Sequence, residues 1–409
     1  MINCFIPFLS LPQAGQTVRA LRLCDRIKNI YLLATEKIPG EVEGCSILMI
    51  DSFASTATYR TIALHADTAY TLLYTKYTVF EPGQFAFERL LAIAGDTNAG
   101  MLYADRYQVE SGNRKPAPVI DYQKGSLRDD FDFGSLLFFR SSVLKQAVRA
   151  MDADYRFAGL YDLRLRVSEL SELVHVNEYL YSEVETDTRK SGEKLFDYVD
   201  PKNRAVQIEM ESVCTAYLKR VGGYLAPGFE PISFDVDGFE QEASVIIPVR
   251  NRIRTIEDAI RSVLMQETIF RFNLIIVDNH STDGTSEAIE KYTADKRVIH
   301  LIPERFDLGI GGCWNVGVHH PACGKFAVQL DSDDVYSGPD TLQKIVNAFY
   351  EQNCAMVVGT YRMTDFKMNE IPPGIIDHRE WTPDNGRNNA LRINGLGAPR
   401  LSIRLCSGK

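Results

Sequence analysis

From residue 243 onward, short apolar runs alternate with stretches of helical periodicity. Residues 243–249, 273–277, 298–302, 326–330 and 355–359 are apolar runs rich in β-branched residues, the pattern of strands buried on both faces. Between them, 255–266 sets Ile256, Ala259, Ile260, Val263 and Leu264 on one helical face. Residues 281–292 carry Thr282 and Asp283 as capping candidates, and 311–319 and 341–352 complete the alternation. This order predicts an α/β domain with a parallel sheet, helices on both faces and ligands at the carboxyl ends of the strands. Asp278 and Asp331 each stand one residue past a predicted strand, so both are expected on one rim.

The amino-terminal half repeats this plan. Residues 4–8 (Cys-Phe-Ile-Pro-Phe) parallel 245–249 (Val-Ile-Ile-Pro-Val), 29–35 parallel 273–279, and 71–82 parallel 328–339. The pairing reads as an internal duplication. Between the copies, 201–220 is helical, 221–231 is rich in Gly and Pro, and 235–242 is acidic, which is the signature of a linker. The predicted organisation is a first domain over 1–196, a helical segment and linker over 197–242, and a second domain over 243–409.

Composition narrows the partners. The chain has 409 residues, 45% hydrophobic and 24% charged, as a globular protein of two or three domains requires. A net charge of −9 argues against nucleic acid, whose phosphates demand basic patches. Eight cysteines without a CxxC pair suggest neither a zinc site nor a redox motif, but thiols in a reducing compartment. The amino terminus lacks a basic region and a long apolar core, and no run approaches the ~20 apolar residues of a membrane helix. A cytoplasmic location follows as the expectation, with peripheral membrane association allowed.

The sharpest chemistry lies in 326–336. An apolar run from Phe326 to Leu330 ends in Asp331, Ser332, Asp333 and Asp334. A buried strand with this sequence is expected to deliver three carboxylates into one small space. Like charges that close repel, and a bound cation relieves them. Oxygen ligands favour a hard ion, Mg²⁺ or Mn²⁺, which usually completes its shell with substrate phosphates. His319-His320 is read as a pair of helix-end residues rather than a metal site, because adjacent histidines cannot both face one point on a helix and Pro321 ends it.

Four motifs occur in order: Pro248-Val-Arg-Asn251, Val277-Asp-Asn-His-Ser-Thr-Asp-Gly-Thr285, Leu308-Gly-Ile-Gly-Gly-Cys-Trp-Asn-Val-Gly317 and Leu330-Asp-Ser-Asp-Asp334. Over 243 to about 365 the set resembles the family 2 inverting glycosyltransferases, whose fold is the nucleotide-sugar-binding GT-A fold. The resemblance implies two tandem GT-A-like (nucleotide-diphospho-sugar transferase) α/β domains with mostly parallel sheets. It implies that Pro248, Arg250 and Asn251 border the nucleotide base, with Arg250 where the family often has an aromatic. It implies that Asp278 accepts a hydrogen bond from the base; an ionised carboxylate is acceptor-only. Capping of the following helix is the other reading of Asp278. Gly311 and Asn315 match a loop close to the nucleotide, with Trp314 where the family often has Arg. Asp331 and Ser332 match positions near the ribose. Asp333 matches the metal ligand, with Asp331 and Asp334 close by, for Mn²⁺ or Mg²⁺.

The family's general base belongs to a Glu-Asp motif beyond an acceptor-binding segment. Residues 394–400 resemble the approach to it, but no Glu-Asp pair follows residue 365. Asp377, Glu380 and Asp384 read as surface carboxylates, and a truncated carboxyl-terminal domain is the expectation. In the first copy Ala34 stands for Asp278, and Tyr74 and Lys76 for Asp331 and Asp333, while Gly159-Leu160 occupies the Glu-Asp place near Asp162. The first domain is therefore expected to be degenerate, with phosphate binding by Lys76 as the alternative. The expected function is metal-dependent transfer of a hexose from a UDP-sugar to a glycan or lipid-linked acceptor in surface polysaccharide assembly. The alternative is a non-catalytic nucleotide-sugar-binding or scaffold protein. A sugar nucleotidylyltransferase would want a glycine-rich loop after the first strand, and 248–253 has no glycine.

Overall fold

The computed structural model describes residues 1–185, 204–230, 232–235, 238–379, 381–393 and 400–403. The chain divides into two compact units, Met1–Ala226 with Glu380–Ile393, and Pro227–Arg379 with Asn394–Lys409.

The first unit carries strands β1 (Ile2–Pro7), β2 (Ile27–Ala34), β3 (Ser46–Met49), β4 (Tyr70–Tyr74), β5 (Val79–Pro82), β6 (Met101–Glu110), β7 (Asn113–Ala117), β8 (Leu136–Arg140) and β9 (Leu173–Val184). Among the described residues they form one sheet in the order β3-β2-β1-β4-β8-β6-β9-β5, with β7 paired to β6. The β3-β2-β1-β4 half is parallel, and β8 runs antiparallel to β4. The sheet is packed on both faces, because neighbours along one strand belong to different cores. Cys4 and Ile6 join one cluster with Leu32 and Leu72, whereas Phe5 joins the other with Leu33 and Leu73. Strands covered twice read as unbroken apolar runs, which is why β1 and β2 were legible without alternation.

The second unit carries β10 (Ala243–Val249), β11 (Phe272–Asp278), β12 (Val298–Leu301), β13 (Phe326–Gln329), β14 (Met356–Val358), β15 (Tyr361–Thr364), β16 (Glu370–Ile376) and β17 (Arg400–Ile403). The main sheet runs β12-β11-β10-β13-β17-β14, and β15-β16 is a separate hairpin. Strands β12, β11, β10 and β13 are parallel, and β17 is antiparallel to β13. The α/β class and the parallel sheet expected from 243 onward are present. The helix Gly309–Val318 lies on one face, where Cβ on Gly317 would come within 2.5 Å of Ile246 Cγ2. Only glycine lets the helix approach β10 that closely.

Three findings depart from the sequence expectation. The helix Arg204–Arg220 is part of the first unit's core, where Val213, Cys214, Tyr217 and Leu218 are buried with Leu127, Ala158, Tyr161 and Leu165. Its apolar face needs a partner, so it is not linker; the predicted boundary at 196 lies outside the described residues. The segment ending in the helix Gly386–Arg392, expected in the second domain, also belongs to the first unit. Fully buried Arg392 binds the Asp129 carboxylate there, and its Nη2 donates to Gln207 Oε1 at 2.8 Å.

The third departure is one of register. In β1, Cys4 pairs with Leu72 of β4; in β10, Val245 pairs with Val328 of β13. Leu72 is thus the counterpart of Val328, one residue away from the sequence pairing of Thr71 with Val328. Thr75 and Tyr77, not Tyr74 and Lys76, then correspond to Asp331 and Asp333. A strand buried on both faces lacks the alternation that fixes register. Tyr74 is fully buried, and Lys76 Nζ is 2.7 Å from the buried carboxylate of Glu183. Glu183 also meets Arg106 Nε at 2.8 Å, so Lys76 is part of an ion-pair cluster rather than an unpaired phosphate ligand.

Candidate functional site

The carboxyl ends of β10, β11 and β13 form one rim, with Val249 opposite Asp278 and Leu330 N donating to Ile246 O at 3.1 Å. Pro248 sits within β10 opposite Val277. Past β10 the chain turns at Asn251, which holds the left-handed conformation at φ 54°. Four backbone N–H donors stitch this turn to the segment after β11. Asn251 N donates to Ser281 Oγ at 3.0 Å, and Thr282 N donates to Asn251 Oδ1 at 2.7 Å. Arg252 N donates to Thr285 Oγ1 at 2.8 Å, and Ile253 N to Asp283 Oδ2 at 3.2 Å. Much of the Ser-Thr-Asp-Gly-Thr motif therefore holds the first loop in place. Small hydroxyls and a carboxylate suit that work because they accept from backbone N–H groups at short range.

The stitching opens a 350 Å³ cleft lined by Asn251, Arg252, Ile253, Arg254, Thr255, Asp283, Asp333 and Phe366. Arg252 Nε lies 4.0 Å from Asp333 Oδ2, and the Arg254 guanidinium lies 5.3 Å from the centre of the Phe366 ring. Arg250 is exposed and does not line the cleft, whereas Arg252 and Arg254, past the turn at Asn251, do. The every-second-residue spacing of Arg250, Arg252 and Arg254 was the available signal.

Asp278 is the last residue of β11. It is fully buried, accepts from Ser281 N at 3.0 Å and from the Ser286 hydroxyl, and has His300 Nε2 at 3.6 Å. Burial alone would raise its pKa, but bonding to His300, Ser281 and Ser286 holds the carboxyl well below the usual range. Asp278 does not cap the following helix, which starts at Thr285 with Gly284 at its N-cap; its contacts tie the intervening loop to β11. The next residue, Asn279, has a buried Oδ1 that takes no hydrogen bond among the described residues. It stands one residue past β11, on the rim of the sheet.

Gly311 and Asn315 fall in the helix Gly309–Val318, both exposed, so the glycine-rich stretch is a first helical turn rather than a free loop. His319 Nδ1 contacts Asn315 O at 2.8 Å, a helix-end role.

The acidic cluster follows β13 as a tight turn, closed by Asp334 N donating to Asp331 O at 3.1 Å. Ser332 is buried and Asp333 half exposed. Asp331 Oδ1 accepts from Gln329 Nε2 at 3.3 Å. Packing about the Asp334 carboxyl, and then Asp331 and Asp333, push its pKa up to about 6. The three carboxylates do not converge as expected. Among the described residues, ligating atoms of three such side chains lie within 4.8 Å of one another only at Cys24, Asp25 and Glu88. Gln329 lies beside Asp331 and Arg252 beside Asp333, while Asp331 and Asp333 both act on Asp334. The donor set still suits a hard cation held by one or two carboxylates and completed by phosphates.

Asp377 pairs with Arg379 at 2.8 Å. Glu380 and residues 394–399 lie outside the described residues. Asp162, beside Gly159-Leu160 in the first unit, is buried against Arg166 at 3.1 Å. Among the described residues no helix is long and apolar enough to cross a membrane.

Residues 244–399 match the family model described as Glycosyl transferase family 2. An uncharacterized glycosyltransferase of Rickettsia felis is 39% identical over 97 residues, covering 24% of this chain and 15% of that protein. The putative teichuronic acid biosynthesis glycosyltransferase TuaG of Bacillus subtilis is 33% identical over 120 residues, covering 29% of this chain and 46% of that protein. The chain thus spans less than half the length of either relative. The crystal structure of S. aureus TarS 1-349 is similar at 27% identity over 32% of this chain and 38% of that one, with a TM-score of 0.28. All four motifs lie inside the residues that match the Glycosyl transferase family 2 model.

Proposed function

We propose that the second unit binds a nucleoside-diphosphate sugar, a UDP-sugar by our reading, on the rim of β10, β11 and β13, and transfers the sugar with inversion to a glycan or lipid-linked acceptor. The observation that carries this reading is the cleft that sets Arg252, Arg254 and Asp333 together inside the family-matching segment. Two guanidiniums facing a carboxylate suit a diphosphate bound with a cation, since planar N–H pairs match phosphate oxygens and the carboxylate holds the metal. Asp333 would hold Mn²⁺ or Mg²⁺, with Asp331 and Asp334 near it. A cation there supplies positive charge against the leaving diphosphate. Asn279 Oδ1 accepts from the base edge, the role first given to Asp278, and Pro248, Asn251, Gly311, Asn315 and Ser332 border the nucleotide. The acceptor hydroxyl attacks the anomeric carbon, the bond to the diphosphate breaks with its electron pair, and the hydroxyl proton passes to a base. TuaG is named for teichuronic acid biosynthesis, which supports a polysaccharide context.

The first unit is read as a duplicated, degenerate copy. Its β3-β2-β1-β4 order with antiparallel β8 repeats β12-β11-β10-β13 with antiparallel β17. Incubating the full chain with UDP-glucose, UDP-N-acetylglucosamine and GDP-mannose tests the transferase reading. Mn²⁺-dependent release of nucleoside diphosphate, lost in Asp333→Ala, is expected. Binding of UDP without release from any donor would favour the non-catalytic reading.

A further inference from the structure

The first unit's equivalent rim is also a cleft. It encloses 700 Å³ between Thr35, Asp51, Ser52, Phe53, Ala54, Tyr77, Arg156 and Phe157. By strand pairing Thr35 stands where Asn279 stands, and Tyr77 where Asp333 stands. The metal carboxylate is thus replaced by a phenol ring, 45% exposed. Phe53 meets that ring edge-on at 6.4 Å, and the Arg156 guanidinium lies 5.2 Å from the centre of the Phe157 ring.

We infer that this cleft is a metal-independent carbohydrate-binding site that takes a neutral pyranose of a glycan chain. The polarised C–H face of a sugar ring suits the electron-rich faces of Tyr77, Phe53 and Phe157. Asp51 and Arg156 supply an acceptor and a donor for hydroxyls at the ring edge. Asp51 Oδ1 is fixed by Ser55 Oγ at 2.6 Å and Ser52 N at 2.8 Å. Asp51 is exposed, so its second oxygen is open to a sugar hydroxyl as well as to solvent. A diphosphate fits poorly beside this carboxylate, with a single arginine and no acidic pair to bring a cation.

The wall of the cleft is rigid. Gly159 N donates to Ala54 O at 2.8 Å and Thr56 N to Tyr155 O at 2.8 Å, tying the segment before the helix Gly159–Leu170 to the segment after β3. A Cβ on Gly159 would lie 2.6 Å from Ser55 C and Thr56 N. The position that the family resemblance gives to a catalytic carboxylate is therefore filled by backbone, as suits a site that binds without reacting.

The test is calorimetry of the full chain with maltohexaose, cellopentaose and chitopentaose in EDTA. Saturable binding of at least one is expected, unchanged in Asp333→Ala and about tenfold weaker or worse in Tyr77→Ala and in Arg156→Ala, both exposed positions, with the thermal midpoint retained. No binding of any of the three would overturn the inference, as would binding that survives both substitutions. Binding of UDP in EDTA that Tyr77→Ala abolishes would overturn it in favour of a nucleotide. Because the donor reading is probed by Mn²⁺ and Asp333, failure of either leaves the other standing.

Discussion

Arg252 Nε stands 4.0 Å from Asp333 Oδ2 across the cleft of the second unit. Both side chains are half exposed, so the pair adds little to stability; its consequence is positional. A guanidinium poised beside the acidic turn can pass from the carboxylate to an arriving phosphate. Arg252→Ala is expected to weaken UDP binding in Mn²⁺ by about ten- to a hundredfold, the range of a charge-assisted hydrogen bond. Arg250→Ala, outside the cleft, should leave it within about twofold. Equal losses in the two variants, read by calorimetry, would return the role to Arg250.

The pairing of Asp278 with His300 makes the second unit's stability depend on pH. Bonding to Asp278 raises the His300 imidazole against the opposing effect of burial, and Glu290 adds to the rise with Nδ1 at 3.4 Å. The stabilisation from His300 is complete below its unfolded pKa of about 6.5 and is lost as pH rises through its higher folded value. The share from Asp278 is present above its unfolded pKa of about 3.9 and is lost as pH falls through its depressed folded value. Hydrogen-exchange protection of β11 and β12 should therefore decline on the alkaline side, and His300→Gln should flatten that decline. An unchanged slope in the variant would remove His300 from the account.

Arg392 and Asp129 form a buried pair in the first unit, with side-chain exposures of 0% and 7%. Arg392→Met leaves Asp129 without its partner and should cost about 3–5 kcal/mol. Adding Asp129→Asn should recover part of that, as a double-mutant cycle on exchange from the helices Arg204–Arg220 and Gly386–Arg392 would report. Strict additivity would mean that the two side chains are not coupled.

Gly159 offers a backbone test. Gly159→Ala should destabilise the first unit by about 1–3 kcal/mol, because its Cβ has no room against the backbone at Ser55 and Thr56. Gly159→Glu should likewise lower the thermal midpoint and create no transferase activity. A tolerated glutamate would weaken the reading of this unit as a binding domain.

How much was legible follows from what each residue type can signal. The unbroken runs 243–249 and 273–277 announced doubly covered strands, and the acidic residues after them announced a rim. That same evenness concealed the register of β4, since every residue from Thr71 to Tyr74 is buried. Arg252 could not be preferred to Arg250 without the positive φ of Asn251, a local conformation that exposed loop residues do not advertise. The pairing of Asp278 with His300 was not legible, because His300 lies on the neighbouring strand β12, distant in sequence. The docking of Gly386–Arg392 into the first unit was hidden in a stretch rich in Pro, Gly and Asn, where a single buried arginine carries the contact.

We propose that the Asp331–Asp334 turn serves a metal-dependent nucleotide-sugar site. Calorimetry of the full chain with UDP, with and without Mn²⁺, alongside Asp333→Ala, addresses it most directly. Saturable binding only with Mn²⁺ is expected, with a loss of about tenfold or more in the variant. Binding that ignores both the cation and Asp333 would contradict it.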